Sequence, residues 1–379
     1  MNPILRLPFD VAHEIWRHLD RIDLQNASLV NSILRDYSQG ELFRVLRFEC
    51  GPKCKSNKPF ADLVSGANVE DRHETTRLLR EQQELRLYNL SQHPRLLSYI
   101  CEIDVVERAA MVQFSGDFYK NISCALPQLL NLRWICCWGV MIPTVFFNAI
   151  IEHSIRQYLR ISLLGCNMFV RPGTIPVVTK PLLVTRLDLR NGESVVYPIV
   201  FPSEHFRHTT ATLGTLRVDY HNLHLLESVS LPHLRNFALH PHHKYDQHTG
   251  DFIARFLEDN PTISSISLPP NVHIAKLASD ALLKLNQAEL SFHTLLTLAT
   301  RPRTLKYLKL DICHFSPMAH LTPLALSTDT IKIELTPHTW HEALADVLSM
   351  LQPRKSLSLV LVRGEELVCS PSLYNRYRS

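Results

Sequence analysis

The sequence predicts an α/β protein: an N-terminal three-helix unit followed by an irregular solenoid whose short parallel strands are joined by helical or irregular returns. Three observations predict it. The first fifty residues carry apolar side chains at helical spacing. From about residue 90 onward a short phrase recurs, two apolar residues with one residue between them, and most successive separations fall between 20 and 32 residues. With 45% hydrophobic and 20% charged residues and no low-complexity tract, the 379 residues have the composition of a chain that buries its apolar side chains along nearly its whole length.

In the first fifty residues, Leu7, Val11, Ile15 and Leu19 recur every four positions, and Pro8 sits where a first helical turn tolerates a missing N–H. This predicts a short amphipathic helix. Asp23 is the expected N-cap of a second helix, along which Leu24, Ala27, Val30, Ile33, Leu34 and Tyr37 continue an apolar stripe. A third short turn around Glu41 to Arg44 leads into Val45-Leu46-Arg47-Phe48-Glu49, expected to be a strand. A unit of about forty-five residues buries too little surface to be secure alone, so some of its apolar positions await a partner or the domain behind it.

The same residues carry a family likeness. Leu7-Pro8-Phe9-Asp10-Val11, then Ile15, Leu19, Asp23-Leu24, Ser28-Leu29-Val30, Arg35 and Leu42-Phe43-Arg44 follow the spacing of the F-box family, which this segment resembles across residues 5 to 48. Two positions depart from the pattern: the family usually has Cys after the Val and Trp just before the Arg, whereas this chain has Asn31 and Leu34. The resemblance implies a surface that docks on a Skp-type adaptor and, through it, on a cullin scaffold carrying a RING subunit. Leu7, Pro8, Val11, Ile15, Leu19, Leu24, Leu29, Val30 and Leu34 are the candidate adaptor-facing residues, each of which could equally belong to the core of a small helical domain. The chemistry would belong to the other subunits, so no catalytic residue is expected here.

Residues 1–50 are thus expected to be the F-box domain. Residues 51–59, with three Lys and two Pro, read as an exposed connector. Polar, helix-prone sequence from Asp62 to Tyr88 extends the lead-in to residue 89. Residues 90–379 carry the recurring pair, from Ile103/Val105 through Ile161/Leu163, Leu187/Leu189, Leu216/Val218, Phe237/Leu239, Leu308/Leu310 and Ile333/Leu335 to Leu357/Leu359. Ile161 to Cys166, Ile266 to Asn271 and Leu308 to Cys313 share an L-x-L-x-x-[N/C] spacing that resembles leucine-rich repeats. In that family the Asn or Cys turns inward toward backbone groups of the turn, so Cys166 and Cys313 need no catalytic explanation. Pro94, Pro127, Pro232, Pro261, Pro302 and Pro353 stand ahead of strands, where they are expected to stop the return segments. Gly250 to Glu258 and His341 to Leu351 have the spacing of outer helices. A non-repetitive α/β domain is the competing reading.

Charge and composition narrow the function. The net charge of +4 is spread out rather than gathered in a stripe, so nucleic acid is not an expected partner. No apolar run is long enough to span a membrane, and Asp10, His13 and Glu14 interrupt any signal-peptide core, which predicts a soluble protein of the cytoplasm, the nucleus or both. Nine irregularly spaced cysteines form no disulfide framework. The histidines between His205 and His248 lack the paired spacing of a metal site and read as a polar loop after Phe237/Leu239. Neither metal nor cofactor is expected. No phosphate-cradling glycine loop or esterase elbow occurs.

The leading expectation is a substrate receptor of an Skp–cullin–F-box ubiquitin ligase. The alternatives are an interaction scaffold that acts without ubiquitylation and, from another class, a metal-dependent protein using the histidines. On each strand the residues alternating with the buried pair should face outward. Arg160, Arg186, Arg190, Arg217 and Lys309 are therefore the candidate substrate-binding residues, suited to acidic or phosphorylated groups. The same rule places Ser162, Asp188, Arg217, Asp219, Glu289 and Glu334 on that face, where Arg186 or Arg190 could instead pair with Asp188 and Asp219.

Overall fold

The computed structural model describes residues 9–50, 69–107, 114–169, 178–191, 200–227, 229–242, 245–278, 280–298, 303–311, 326–335, 351–361 and 365–369. Leu7, Pro8, the connector at 51–59, Cys54, Pro302, Cys313 and the helix expected from His341 lie outside the described residues. The chain forms two compact units, divided near Val184.

The first unit opens with three helices: α1 (Phe9–His18), α2 (Arg21–Val30) and α3 (Ser32–Leu42). Two details differ from expectation. The cap of α2 is Asp20, whose carboxylate accepts the Asp23 N–H at 2.8 Å, so Asp23 lies inside the first turn. The long second helix is in fact two, because the Asn31 side chain accepts the Leu34 N–H at 2.9 Å and starts α3. The expected short turn near Glu41 is the end of that third helix.

The chain then enters a sheet. β1 (Val45–Cys50) pairs parallel with β2 (Glu102–Glu107), β2 with β3 (Trp134–Trp138), and β3 with β5 (Leu159–Leu164), while β4 (Met141–Pro143) pairs with β6 (Asn167–Phe169). The register stacks Leu46, Ile103, Ile135 and Ile161 in one buried row and Phe48, Val105, Cys137 and Leu163 in the next. Thus β1 is the first strand of the series, although residues 45–49 were not expected to join it. Between the strands run α4 (Val69–Ser91), α5 (Pro94–Leu97), α6 (Gly116–Ala125) and α7 (Thr144–Arg156), with α4 packed on β1 and α6. Phe48 meets Phe118 edge-on at 5.1 Å, and Phe114 stacks on Phe118 at 4.1 Å, which closes the core between strands and helices. Pro94 opens α5 rather than ending a return helix, and Pro127 sits in a one-turn 3-10 segment, both at positions where no N–H is needed.

The second unit is a large, mostly parallel sheet. β7 (Val184–Arg190), β8 (Thr215–Val218), β9 (Asn236–Leu239), β10 (Ser265–Ser267), β11 (Gln287–Ser291), β12 (Arg303–Asp311), β13 (Leu326–Leu335) and β14 (Gln352–Leu361) pair in sequence order, all parallel, and β15 (Glu365–Cys369) closes antiparallel on β14. Leu187, Leu216, Phe237, Ile266, Ala288, Leu308, Ile331 and Leu357 form one continuous buried row across the sheet. On β13 the register corrects the expected pair: Ile331 and Ile333 stand beside Leu308 and Leu310, not Ile333 and Leu335. Both choices satisfy a period of two, so only the neighbouring strand fixes which is used. Pro353 lies within β14 rather than before it. α8 (Ser203–Arg207), α9 (Gln247–Asp259) and α10 (Phe292–Leu298) are the return helices, and α9 covers the sheet through Phe256, 4.9 Å from Phe237.

Candidate functional site

Two surfaces stand out, one in each unit. In the three helices, Trp16, Leu24 and Leu34 form the buried centre, with Leu19, Ala27, Tyr37 and Leu42 packed against it, and the Trp16 and Tyr37 rings stack at 6.3 Å. This core is small because three short helices enclose little volume. What they leave outside is large: Val11, Ile15, Ile22, Leu29, Val30 and Ile33 are all exposed, Leu29 at 78% and Val30 at 67%. Among the candidate adaptor residues, Val11, Ile15, Leu29 and Val30 are therefore open to solvent. Leu24 and Leu34 are correctly read as apolar but belong to the core, and Leu19 packs partly against it. Ile22 and Ile33 were not singled out from sequence. Ile33 was placed in the buried stripe of a long second helix, and the break at Asn31 changes which way it faces.

The second surface is the charged face of the β7–β13 sheet. Arg186, Arg190 and Arg217 gather around the buried Asp188. Arg186 and Arg217 approach the same carboxylate oxygen, Oδ2, at 3.5 and 3.8 Å, and His240 Nε2 donates to Oδ1 at 2.9 Å. Burial alone would raise the Asp188 pKa. The His240 hydrogen bond and charge and the Arg190 and Arg217 charges outweigh it and hold the carboxyl below its ordinary value. Asp188 was expected to face solvent as these arginines do, and it is instead covered by them. Asp219 is likewise buried: it accepts the Asn191 N–H and the Asn222 side-chain amide, so it organises a turn and offers no charge to the surface. Lys309 differs from the arginines. Burial opposes its charge, but Glu334 at 3.0 Å and the nearby Glu289 hold its ammonium above the ordinary lysine value. In the first unit Arg160 is exposed as expected, while Ser162 is buried because the Trp134 indole N–H donates to its hydroxyl at 3.2 Å.

The segment after Leu239 is irregular, as expected, but its histidines at 240 and 242 do not face solvent. His205, His240 and His242 are buried, His242 stacking on Tyr220 at 5.0 Å. Among the described residues no three His, Cys, Asp or Glu side chains come together as a metal site. The buried thiols are structural in character: burial pushes Cys50 up to about 11 and Cys166 up to about 12, and the Cys166 thiol donates to the Cys137 carbonyl at 3.2 Å. Among the described residues no helix is long and apolar enough to cross a membrane.

The three helices thus leave more large apolar side chains exposed than they bury. Residues 4–45 match the F-box domain, and the chain carries an F-box. F-box domains bind Skp-type adaptors in Skp–cullin–F-box complexes, and proteins that carry them are typically non-catalytic receptors. No curated protein matches the chain.

Proposed function

We propose that this chain is the substrate-recognition subunit of a Skp–cullin–F-box ubiquitin ligase. The helical F-box at residues 4–45 holds the adaptor, and the strands and return segments from β1 onward, α4 included, form a leucine-rich-repeat-like solenoid whose strand face takes a protein substrate. The observation that carries the reading is the exposed apolar face of the F-box, Val11, Ile15, Ile22, Leu29, Val30 and Ile33. Burying each such side chain contributes roughly 1.5–3 kcal/mol, so the set supplies the driving force of a stable contact. In keeping with a repeat, a backbone bond to the preceding return recurs just ahead of β3, β9, β10 and β11 and within β5 and β12: Arg133 to Cys101, Arg235 to Gly214, Ser264 to Arg235, Asn286 to Ser264, Arg160 to Arg133 and Lys306 to Asn286. The Asn271 side chain donates to the His242 carbonyl at 2.7 Å, as the Cys166 thiol does to Cys137, each reaching a backbone carbonyl 29 residues earlier. Such a receptor works in the cytoplasm, the nucleus or both.

The test is affinity purification of Ile15→Asp combined with Leu29→Asp. Both positions are exposed, so the double variant is expected to fold like the parent, checked by circular dichroism, and to lose adaptor and cullin together. Undiminished adaptor recovery by the folded variant overturns the reading. Recovery of adaptor without cullin by the parent chain makes it a scaffold that does not direct ubiquitylation.

A further inference from the structure

The cations of the first unit gather where its strands begin. Arg133 precedes β3, Arg156 ends α7, Arg160 is the second residue of β5, and Lys180 lies on the segment 178–184 that follows. All four are exposed and make no ion pair among the described residues. Scattered in the sequence, they are brought side by side by the fold. The Arg160 N–H donates to the Arg133 carbonyl at 2.8 Å, the Gln157 side-chain amide to the Leu130 carbonyl at 2.7 Å, and the Leu159 N–H to the Leu183 carbonyl at 2.8 Å, so three successive returns stand against one another. Glu152, one turn before Arg156 on α7, is the sole acidic residue of 126–134, 152–160 and 178–184, which leaves four cations against one carboxylate. On the F-box side, Asp36 is engaged by Arg95, and Glu41 and Glu102 by Arg44. On the same turns as the cations stand Leu130 and Tyr158, 66% and 62% exposed.

We propose that this strand-entry edge docks on an anionic lipid surface, its cations lying against the headgroups and Leu130 and Tyr158 entering the boundary beneath them. The inference is independent of how the F-box and the strand face are used. Charge complementarity selects the partner. The excess of positive charge on one edge meets a surface whose negative charge is continuous, and each Lys or Arg close to such a leaflet strengthens binding about fivefold. The apolar pair fits the same partner: a leucine buries its side chain at the headgroup boundary, and a tyrosine seats its ring there with its hydroxyl in water. A nucleic-acid backbone would draw the cations but give Leu130 nothing to bury against. A stable protein interface needs about 800 Å² per partner around a packed apolar centre, which two side chains on separate turns do not make. The contact is peripheral, since its apolar side chains come from turns and not from a helix long and apolar enough to cross a bilayer.

The test is flotation of the full chain, purified with its adaptor, on vesicles of phosphatidylcholine alone or with about one lipid in three replaced by phosphatidylserine. Binding is expected to be at least about tenfold stronger to the anionic vesicles. It should fall when salt is raised from about 0.1 M to about 1 M, which shortens the screening length from about 10 Å to about 3 Å. Arg133, Arg156 and Lys180 all changed to Gln should lower it at least about tenfold, with Arg160 left in place because it also stands on the strand face. Arg235, Lys276 and Lys284, exposed in the second unit, changed to Gln remove the same charge elsewhere and should leave binding like the parent's. Leu130→Ser with Tyr158→Ser should weaken it severalfold although every cation is retained. All these side chains are exposed, so each variant is expected to fold like the parent and to keep its adaptor, checked by circular dichroism and co-purification. Equal binding to the two kinds of vesicle, binding to neither, or an equal loss in the two triple variants overturns the inference. So does a Leu130 and Tyr158 double variant that binds like the parent, since charge attraction alone then accounts for the contact. If the parent ignores vesicles but binds duplex DNA, or captures a cellular protein, and the first triple variant loses that partner, the edge belongs to it and the lipid reading falls.

Discussion

Asp188 shows how one residue ties stability to charge. Its carboxyl is buried, which raises its pKa, yet the hydrogen bond from His240 and the surrounding guanidinium charges bring it below the ordinary carboxylate value. A carboxylate depressed in the folded state contributes stability that is complete above its unfolded pKa and is lost as pH falls through the folded one. Asp188→Asn is therefore expected to cost on the order of 1–3 kcal/mol at neutral pH, since it removes a buried acceptor from charged donors. The difference from the parent should shrink as pH drops through and below the ordinary carboxylate range. Urea unfolding of both proteins across that range measures it; a difference that stays constant would assign the loss to packing. Glu107 has the opposite sign. Burial raises its pKa despite hydrogen bonds from Phe114, Tyr119 and Met141, so its contribution improves as pH falls through the raised value toward the unfolded one. Comparing Asp188→Asn with its parent leaves that contribution common to both.

At the scale of elements, close approach decides what a return helix tolerates. Gly250 lies in the first turn of α9, where an added Cβ would fall 1.9 Å from the His273 carbonyl oxygen. Glycine ordinarily costs a helix roughly 1 kcal/mol relative to alanine, so Gly250→Ala would help an isolated helix. Here it should instead lower stability by about 1–3 kcal/mol, because α9 or the backbone at His273 must move. Gly116, at the start of α6, is the control: a Cβ there meets nothing within 4 Å, and Gly116→Ala should melt within a degree or two of the parent or above it. Thermal melts of both variants decide it, and equal melting temperatures would mean that the α9 contact gives way without cost. The caps work at the same scale. Asn31→Ala should cost about 1 kcal/mol, since the amide it leaves unbonded is the one that separates α2 from α3.

For the whole second unit, stability passes from strand to strand. Each buried row is covered on both sides by the neighbouring strands, so no strand buries its apolar side chains alone. Leu308→Asp places a carboxylate in the row between Ala288 and Ile331, and a charge stranded there should lower the melting temperature sharply. Hydrogen exchange should then show lost protection in β11 and β13 as well as β12. Exchange that rises in β12 alone would mean the strands are stabilised independently.

Strand order and the buried rows were legible in the sequence because they depend on local facts: alternation of period two, and recurrence of the same pair once per turn of chain. Ile103, Ile135 and Ile161 in the first unit and Leu187, Leu216, Phe237, Ile266, Ala288 and Leu308 in the second were read in the registers their strands use. The F-box was legible for a similar reason, its spacing lying within forty-five residues. What the tertiary structure decided are the lateral relations. Ile331 rather than Leu335 completes the row because β12 sets the register. His240, read as part of a polar loop, is drawn into the sheet by Asp188, fifty-two residues away, and Lys309 is neutralised by Glu334 on the next strand. A single strand's sequence fixes which face a side chain takes, since the pleat alternates on its own. Whether a charge on that face is spent on a neighbour or left for a ligand depends on side chains one strand over, which only the folded sheet brings within reach.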